Sequence, residues 1–594
     1  MIAAAQMLWI SPALALADPR PSAAHSTAQD GRVRSHLAIM AASPRRGWAV
    51  LAVLAVLAGR CGALVLPAAR RGRGGFAGGA VGHLGGGGVA VCGGGESGSP
   101  EFDFTQRVFC NRELNMGAIE AVGFDMDYTL AQYNVAFDML AFEGAKDKLV
   151  DMGYPAEAIS GFTFDPSQHL RGLVIDKKEG NILKMDRHKY VRVAHHGTRE
   201  LSADERKRLY VGVADATPTF VGSDYVNVDS LFQLVDASLY AQLVDVLDRD
   251  ELRTISYYQA FTDVRHAVDM CHHDGVIKDE VARDPGRYIL SDESLVPMLT
   301  QYRLAGKKVF LLTNSLFDYT NVVMNFLLGK PLNDRGWLDL FDVVVVGAGK
   351  PAFLGDMRRD MMRVDVATDM GTLHNFVGKP VSEIGGDAFL EREGKVFQGG
   401  TWRALHDMLG VDGGSQVLYV GDHMYGDIVR SKRSLGWRTA LIVPELEREL
   451  SVDALDSSAS RAVEDRERDC DAAELAVQRL RLSMIRDGTH FLDSPEKDAL
   501  EEAQSDARAK LKQAREALHA EYHETWGPIF RAGNQASRFA KQVTDYSCIY
   551  TSRASNLLQT SPLRSFRPPK DDMPHDAQST APGRSGAELD ELER

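Results

Sequence analysis

The sequence predicts an α/β fold: a doubly wound parallel sheet with an inserted α+β cap domain and a C-terminal helical extension. Three observations point to it. From about residue 101 onward, short β-branched apolar runs alternate with helical stretches, the order that builds a parallel sheet covered on both faces. The stretch 125–307 between the first two runs is far too long for a simple crossover, so a separate unit is inserted there. Near the C-terminus, residues 472–522 are rich in Ala, Glu, Arg and Leu at helical spacing.

Taken in order, buried strands are expected at 118–124, 308–312, 341–346, 416–420 and 439–443. Each of the first four ends where polar or glycine residues begin, and ligands of open α/β sheets gather at the carboxyl ends of strands. The expected division is a leader and linker at 1–100, a core at 101–132 and 291–450, a cap at 133–290, a helical extension at 451–570 packed on the core, and a disordered polar tail at 571–594. Heptads do not read as sustained in 472–522, which favours a packed helical extension over a partner-binding coiled coil.

The first hundred residues differ in kind from the rest. They hold nine Arg, no Lys and only Asp18, Asp30 and Glu96 as acids, in a chain of 594 residues whose net charge is −14. Arg45 and Arg46 precede the uncharged run 47–59 (GWAVLAVLAVLAG), shorter than the roughly 20 residues a spanning helix needs and of the kind found in signal-peptide cores. A basic, acid-poor leader of this type suggests organelle targeting, to plastid or mitochondrion, with the cytoplasm as the alternative. The acidic remainder argues against a protein that coats a nucleic-acid polymer. Six scattered cysteines without a CxxC pair make neither a disulfide framework nor a structural zinc site.

Chemistry collects at the four strand ends. After the first come Asp125-Met126-Asp127-Tyr128-Thr129, where two carboxylates at a sheet edge repel each other and call for a hard cation such as Mg²⁺; taken alone, the pair also suits a turn or cap. After the second stand Thr313-Asn314-Ser315, small groups able to hold phosphate oxygens or to cap a helix. Lys350 follows the third, between Gly349 and Pro351, placed to neutralise a phosphate, though a lone lysine is usually a surface charge. The fourth ends in Gly421-Asp422-His423-Met424-Tyr425-Gly426-Asp427, where Asp422 offers another metal ligand and Asp427 a group that orients water or the lysine. His195-His196 and His272-His273 read as ordinary surface or helix-end histidines, since no further ligand lies at suitable spacing.

That ordered constellation resembles the haloacid-dehalogenase superfamily of aspartate-nucleophile phosphohydrolases. GFDMDYTLAQY, FLLTNS, AGKPAF and YVGDHMYGDIVRSKRSLGWRTALIVPEL are similar, more closely, to the 5′-nucleotidase family, and the likeness continues through FTDVRHAVDMCH, FQGGTWRALHDMLG and WGPIFRAGNQASRFAKQV, covering roughly residues 104–576. The resemblance implies that Asp125 attacks phosphorus to give an aspartyl-phosphate and that Asp127 is the acid and base. It implies Mg²⁺ on Asp125, the Asp127 carbonyl and Asp422, with Thr313 and Asn314 on the phosphoryl group, Lys350 offsetting charge and Asp427 orienting. The implied activity is Mg²⁺-dependent hydrolysis of a nucleoside monophosphate, and the resemblance suggests a homo-oligomer. The alternatives are a phosphatase or phosphotransferase for another small phosphate ester, or a binding or scaffold protein that keeps the fold. In the cap, stretches 191–200 and 243–269 read without the Phe-Asn pair and basic set with which the family's purine nucleotidases grip the base, so no base-binding residue is assigned.

Overall fold

A computed structural model of the protein describes residues 104–571 apart from 212–219, 250–254, 332–333, 456 and 489–494. The leader, with its apolar run, and the expected tail beyond Asp571 lie outside the described residues.

Seven parallel strands form the centre of a ten-stranded sheet. They are β1 (Ala121–Phe124), β2 (Lys308–Leu312), β3 (Val343–Val346), β4 (Val396–Gly399), β5 (Val417–Gly421), β6 (Arg438–Ile442) and β7 (Ile549–Thr551), in the spatial order β7-β6-β5-β1-β2-β3-β4. Antiparallel strands finish both edges: Phe109–Cys110 beside β7, and Met361–Asp365 followed by Thr372–His374 beyond β4. All four valines of β3 are buried, as a strand covered on both faces requires, each contributing about 1.5–3 kcal/mol of transfer free energy before entropy is counted. Gly123 in β1 is needed for close packing, because a Cβ there falls 2.1 Å from the Phe310 ring.

The five anticipated strands all exist, with shifted ends. The first begins at Ala121 rather than 118 because Asn115 caps a short helical turn at Met116–Ala118, its side chain accepting from the Gly117 N–H. β4 and β7 were not anticipated; VFQG and IYT are too short and too mixed to stand out, and only pairing with β3 and β6 defines them.

The insertion leaves and re-enters through a two-residue antiparallel pairing of Gln132–Tyr133 with Ile289–Leu290. Within it lie the helices α1 (Val135–Asp151), α2 (Gln233–Arg249), α3 (Tyr257–His273) and α4 (Val276–Arg283), and a five-stranded antiparallel sheet running from Arg199–Glu200 to Tyr225–Asn227. Helix α5 (Phe317–Leu327) follows β2.

Beyond the core, α6 (Ser458–Asp487) and α7 (Pro495–Tyr522) pack chiefly on each other. Cys470 and Val477 are buried, with Val463 and Met484 partly covered. These four positions repeat every seventh residue, a spacing masked in the sequence by the charged residues around it. Arg515–Glu467 and Arg508–Glu474, both at 2.7 Å, join the two helices. The chain then returns through Trp526 to supply β7. The four cysteines among the described residues are free thiols. No helix among the described residues is long and apolar enough to cross a membrane.

Candidate active site

The chain runs outward from β1 to β2, β3 and β4, then crosses back to β5 on the other side of β1. The reversal leaves a crevice beyond the carboxyl ends of β1 and β5, the usual ligand position in such sheets. Asp125 follows β1, Thr313 follows β2, Lys350 lies just beyond β3, and Asp422 follows β5, so the four clusters meet at one end of the sheet.

Lys350 is the hub. Its ammonium lies 2.8 Å from Asp125 Oδ1 and 2.8 Å from Asp427 Oδ1, and donates to the Tyr419 hydroxyl at 2.9 Å. Tyr419 in turn donates its own hydroxyl hydrogen bond to the Leu312 carbonyl at 2.9 Å. All of these groups are buried, Lys350 to 4% exposure. Burial alone pulls the lysine down, but Asp125 and Asp427 outweigh it and hold Lys350 above its ordinary value. Asn314 braces the lysine loop: its amide donates to the Lys350 carbonyl at 3.2 Å and accepts from the Lys350 N–H at 2.7 Å. The side chain expected to face a phosphate is therefore engaged with the backbone of Lys350.

Asp125, Asp422 and Asp427 bring carboxylate oxygens within 4.8 Å of one another. One ammonium among three carboxylates leaves an excess of negative charge. Burial, reinforced by Asp427, Asp422 and Asp127, lifts Asp125 well above the usual carboxylate range against the pull of Lys350. Burial, then Asp427, pushes Asp422 up to about 7 despite Arg171 and Lys350. Asp422 Oδ2 is buried without a hydrogen-bond partner, and Oδ1 has only the Thr129 hydroxyl, at 3.5 Å. An all-oxygen, negatively charged donor set with an orphaned buried oxygen fits a hard divalent cation such as Mg²⁺. Gly421 makes room for the Asp427 side chain: a Cβ there would come within 2.6 Å of it.

Asp127 stands at the rim. Its Oδ1 accepts from the Tyr133 hydroxyl at 2.6 Å, and its Oδ2 from Ser315 at 2.8 Å and Thr313 at 3.5 Å. The next residue, Tyr128, has φ 53°, a left-handed conformation that costs a non-glycine residue about 1–3 kcal/mol and is retained where surrounding contacts enforce it. Its hydroxyl donates to Asp138 at 2.7 Å and its ring packs 4.7 Å from Phe232.

Beside Asp127 and Ser315 opens a small cleft of about 40 Å³, whose other walls come from Phe137, Phe232, His272, Ile277, Lys278 and Tyr319. His272 lies in the last turn of α3, as a helix-end histidine should, but its ring faces this cleft, 5.5 Å from Phe232 and nearly perpendicular to it. Burial, followed by the charges of Arg265 and Lys278, pushes His272 down to about 3, so it is neutral at pH 7. His196 instead bonds to Asn181 and Asp248, each at 2.8 Å.

Sequence reasoning brought Asp125, Asp127, Thr313, Asn314, Lys350, Asp422 and Asp427 to this place, named Ser315 beside Thr313 and Asn314 without giving it a bond to Asp127, read His272 as an ordinary helix-end histidine, and missed Tyr133, Tyr419, Arg171 and Phe232. Arg171 carries no local signal. Fully buried, it donates to the Asp422 carbonyl at 2.8 Å and pairs with Glu445 at 2.6 Å, partners more than 250 residues away.

A family model described as the 5′ nucleotidase family matches residues 108–578. This chain belongs to that family, whose members are phosphoric monoester hydrolases. It is 28% identical over 479 residues to human "5′-nucleotidase domain-containing protein 2", covering 79% of this chain and 85% of the relative. It is 28% identical over 477 residues to "5′-nucleotidase domain-containing protein DDB_G0275467" of Dictyostelium discoideum, covering 79% and 75%. Among solved structures, a predicted phosphoglycolate phosphatase from Haemophilus somnus aligns over 55% of this chain and 86% of its own at 11% identity, with a TM-score of 0.23, too low to bear on function.

Proposed function

We propose that this phosphatase is a Mg²⁺-dependent 5′-nucleotidase that hydrolyses a nucleoside monophosphate through an aspartyl-phosphate. The observation that carries the reading is the convergence of Asp125, Lys350 and Asp422 on one crevice, with the aromatic pair Phe232 and His272 a short way along the same cleft from Asp127.

Asp125 is the nucleophile. Its carboxylate oxygen bonds to phosphorus as the bond from phosphorus to the nucleoside oxygen breaks, and a proton from Asp127 goes to that departing oxygen. Asp127, now ionised, takes a proton from water, whose oxygen attacks phosphorus and returns Asp125 as a carboxylate with release of phosphate. Lys350 offsets charge on Asp125 and the transferring group, held in place by Asp427, Tyr419 and Asn314. The Thr313 hydroxyl, with the Asn314 turn, borders the phosphoryl position. Asp125, the Asp127 carbonyl and Asp422 would hold Mg²⁺, which when bound offsets negative charge on phosphoryl oxygens.

The nucleoside reading rests on the cleft. A flat ring beside Phe232 and His272 gains stacking of about 1–3 kcal/mol per base, which a sugar phosphate lacks. The test is phosphate release from a panel of nucleoside 5′-monophosphates and sugar phosphates, with Mg²⁺ or with chelator. Preference for a nucleotide, lost on chelation, is expected. A preference for sugar phosphates, or full activity in chelator, overturns the reading.

A further inference from the structure

Asp127 has two different sides. Toward Oδ2 stand Ser315 and Thr313, beside the phosphoryl position. Toward Oδ1 stands Tyr133, only 8% exposed, donating at 2.6 Å, and behind it Tyr319, 5% exposed, donates to the Tyr133 oxygen at 3.1 Å. The two phenols form a chain directed at one carboxylate oxygen, and its outer member lines the cleft. Each comes from a separate element: Tyr133 from the strand where the chain enters the cap, Tyr319 from the first turn of α5. The Tyr133 ring is locked by Phe137 at 4.2 Å and Tyr128 at 5.2 Å, so its hydroxyl has little freedom to leave the carboxylate.

A carboxylic acid has one proton and two oxygens that can carry it. If either serves, half of the protonated population faces away from the leaving group. We propose that Tyr133, backed by Tyr319, is a positioning residue for Asp127: by donating to Oδ1 it keeps that oxygen an acceptor, so that Oδ2 carries the proton passed to the departing oxygen. A hydrogen bond from a phenol to a carboxylate is charge-assisted and short, as the 2.6 Å separation is, and it also fixes the plane of the carboxyl group. The Ser315 hydroxyl on the other side lines the open cleft and is free to rotate, accepting when Oδ2 is protonated and donating when it is not. The protonated form has one donor direction left, toward the cleft. When the bond from phosphorus to the leaving oxygen breaks, the Oδ2 proton moves to that oxygen and the electron pair left on Oδ2 is again met by Ser315.

The inference rests on the role given to Asp127 above, and leaving-group dependence tests both separately. A nucleoside 5′-monophosphate expels an alkoxide that needs a proton, whereas p-nitrophenyl phosphate expels a phenolate that needs almost none. Asp127→Asn, Tyr133→Phe and Tyr319→Phe are compared with the parent on p-nitrophenyl phosphate and on the best nucleotide of the panel above. The water step is common to both substrates, so the comparison is made on kcat/KM, which reports only the steps up to the aspartyl-phosphate; general acids contribute about 10²–10⁴-fold, so Asp127→Asn loses a factor of that order on the nucleotide and much less on the aryl ester. Tyr133→Phe is expected to lower kcat/KM on the nucleotide by roughly tenfold, with kcat/KM on the aryl ester nearly unchanged, and Tyr319→Phe to act in the same direction by less. Equal losses on both substrates in Tyr133→Phe and Tyr319→Phe, with Asp127→Asn still discriminating, overturn the positioning role. If Asp127→Asn itself does not discriminate, the acid assignment falls first. Should Tyr133→Phe fail to fold, Tyr319→Phe, which touches Asp127 only through Tyr133, decides the matter.

Discussion

The two walls of the cleft are built on opposite principles. The wall at the strand ends is charged, buried and cross-linked, with Asp125, Asp427, Tyr419 and Asn314 all bonded to one lysine within 3.2 Å. The facing wall, from α1, the start of α2, α3 and α4, is aromatic and apolar, with Phe137, Phe232 and a neutral His272 and a single cation, Lys278. The first wall suits a group of fixed shape and high charge, for which geometry must be held to a fraction of an ångström. The second suits a flat, weakly polar body and offers contact area rather than directed bonds. On the function proposed above, the difference teaches that reaction and selectivity would be carried by separate parts of this molecule and could be damaged separately.

The largest effect is expected at the charged wall. Asp125→Asn should cut turnover by at least about 10⁴-fold while leaving the fold intact or firmer, since it removes one of three mutually repelling buried carboxylates and Lys350 keeps Asp427. Phosphate release together with a thermal melt checks both halves; parental turnover with any nucleotide shows that the nucleophile lies elsewhere. Next comes Lys350→Met, which strips two buried carboxylates of their counter-charge and is expected to cost about 3–5 kcal/mol of stability, read from denaturant unfolding. A loss below about 1 kcal/mol would mean that those carboxyls are neutral in the folded protein. The smallest effect belongs to the aromatic wall: Phe232→Ala should raise KM for a nucleotide by roughly tenfold, with kcat and the KM for a sugar phosphate little changed. If kcat falls as far as it does in the Asp125 variant, the two walls are not separable.

The same contrast sets what could be read from the sequence. Residues at the charged wall sit in runs of two to seven at the ends of strands, and a strand end is a local event: an apolar run stops, a carboxylate, threonine or glycine follows, and the sheet itself brings such ends together. Asp125, Asp127, Thr313, Asn314, Lys350, Asp422 and Asp427 were legible for that reason. Phe232, His272 and Lys278 are each unremarkable in sequence, one aromatic and two polar residues near the ends of amphipathic helices. They become a surface only when α3 and α4 pack against α1 and α4 meets α5. The heptad seam of α6 and α7 was likewise hidden, because Cys470 and Val477 are separated by exposed charges that single-helix periodicity weighs equally.

The sequence by itself determined five central strands of the sheet, the order of its catalytic clusters and the chemistry they favour, because an apolar run and its polar interruption are settled over a few residues. The tertiary structure alone decided that the Asn314 side chain braces the Lys350 backbone, that Tyr133 and Tyr319 stand in line behind Asp127, and that Arg171 reaches Asp422. Those contacts join elements tens to hundreds of residues apart, and side chains at such separations meet only where packing of the whole molecule puts them.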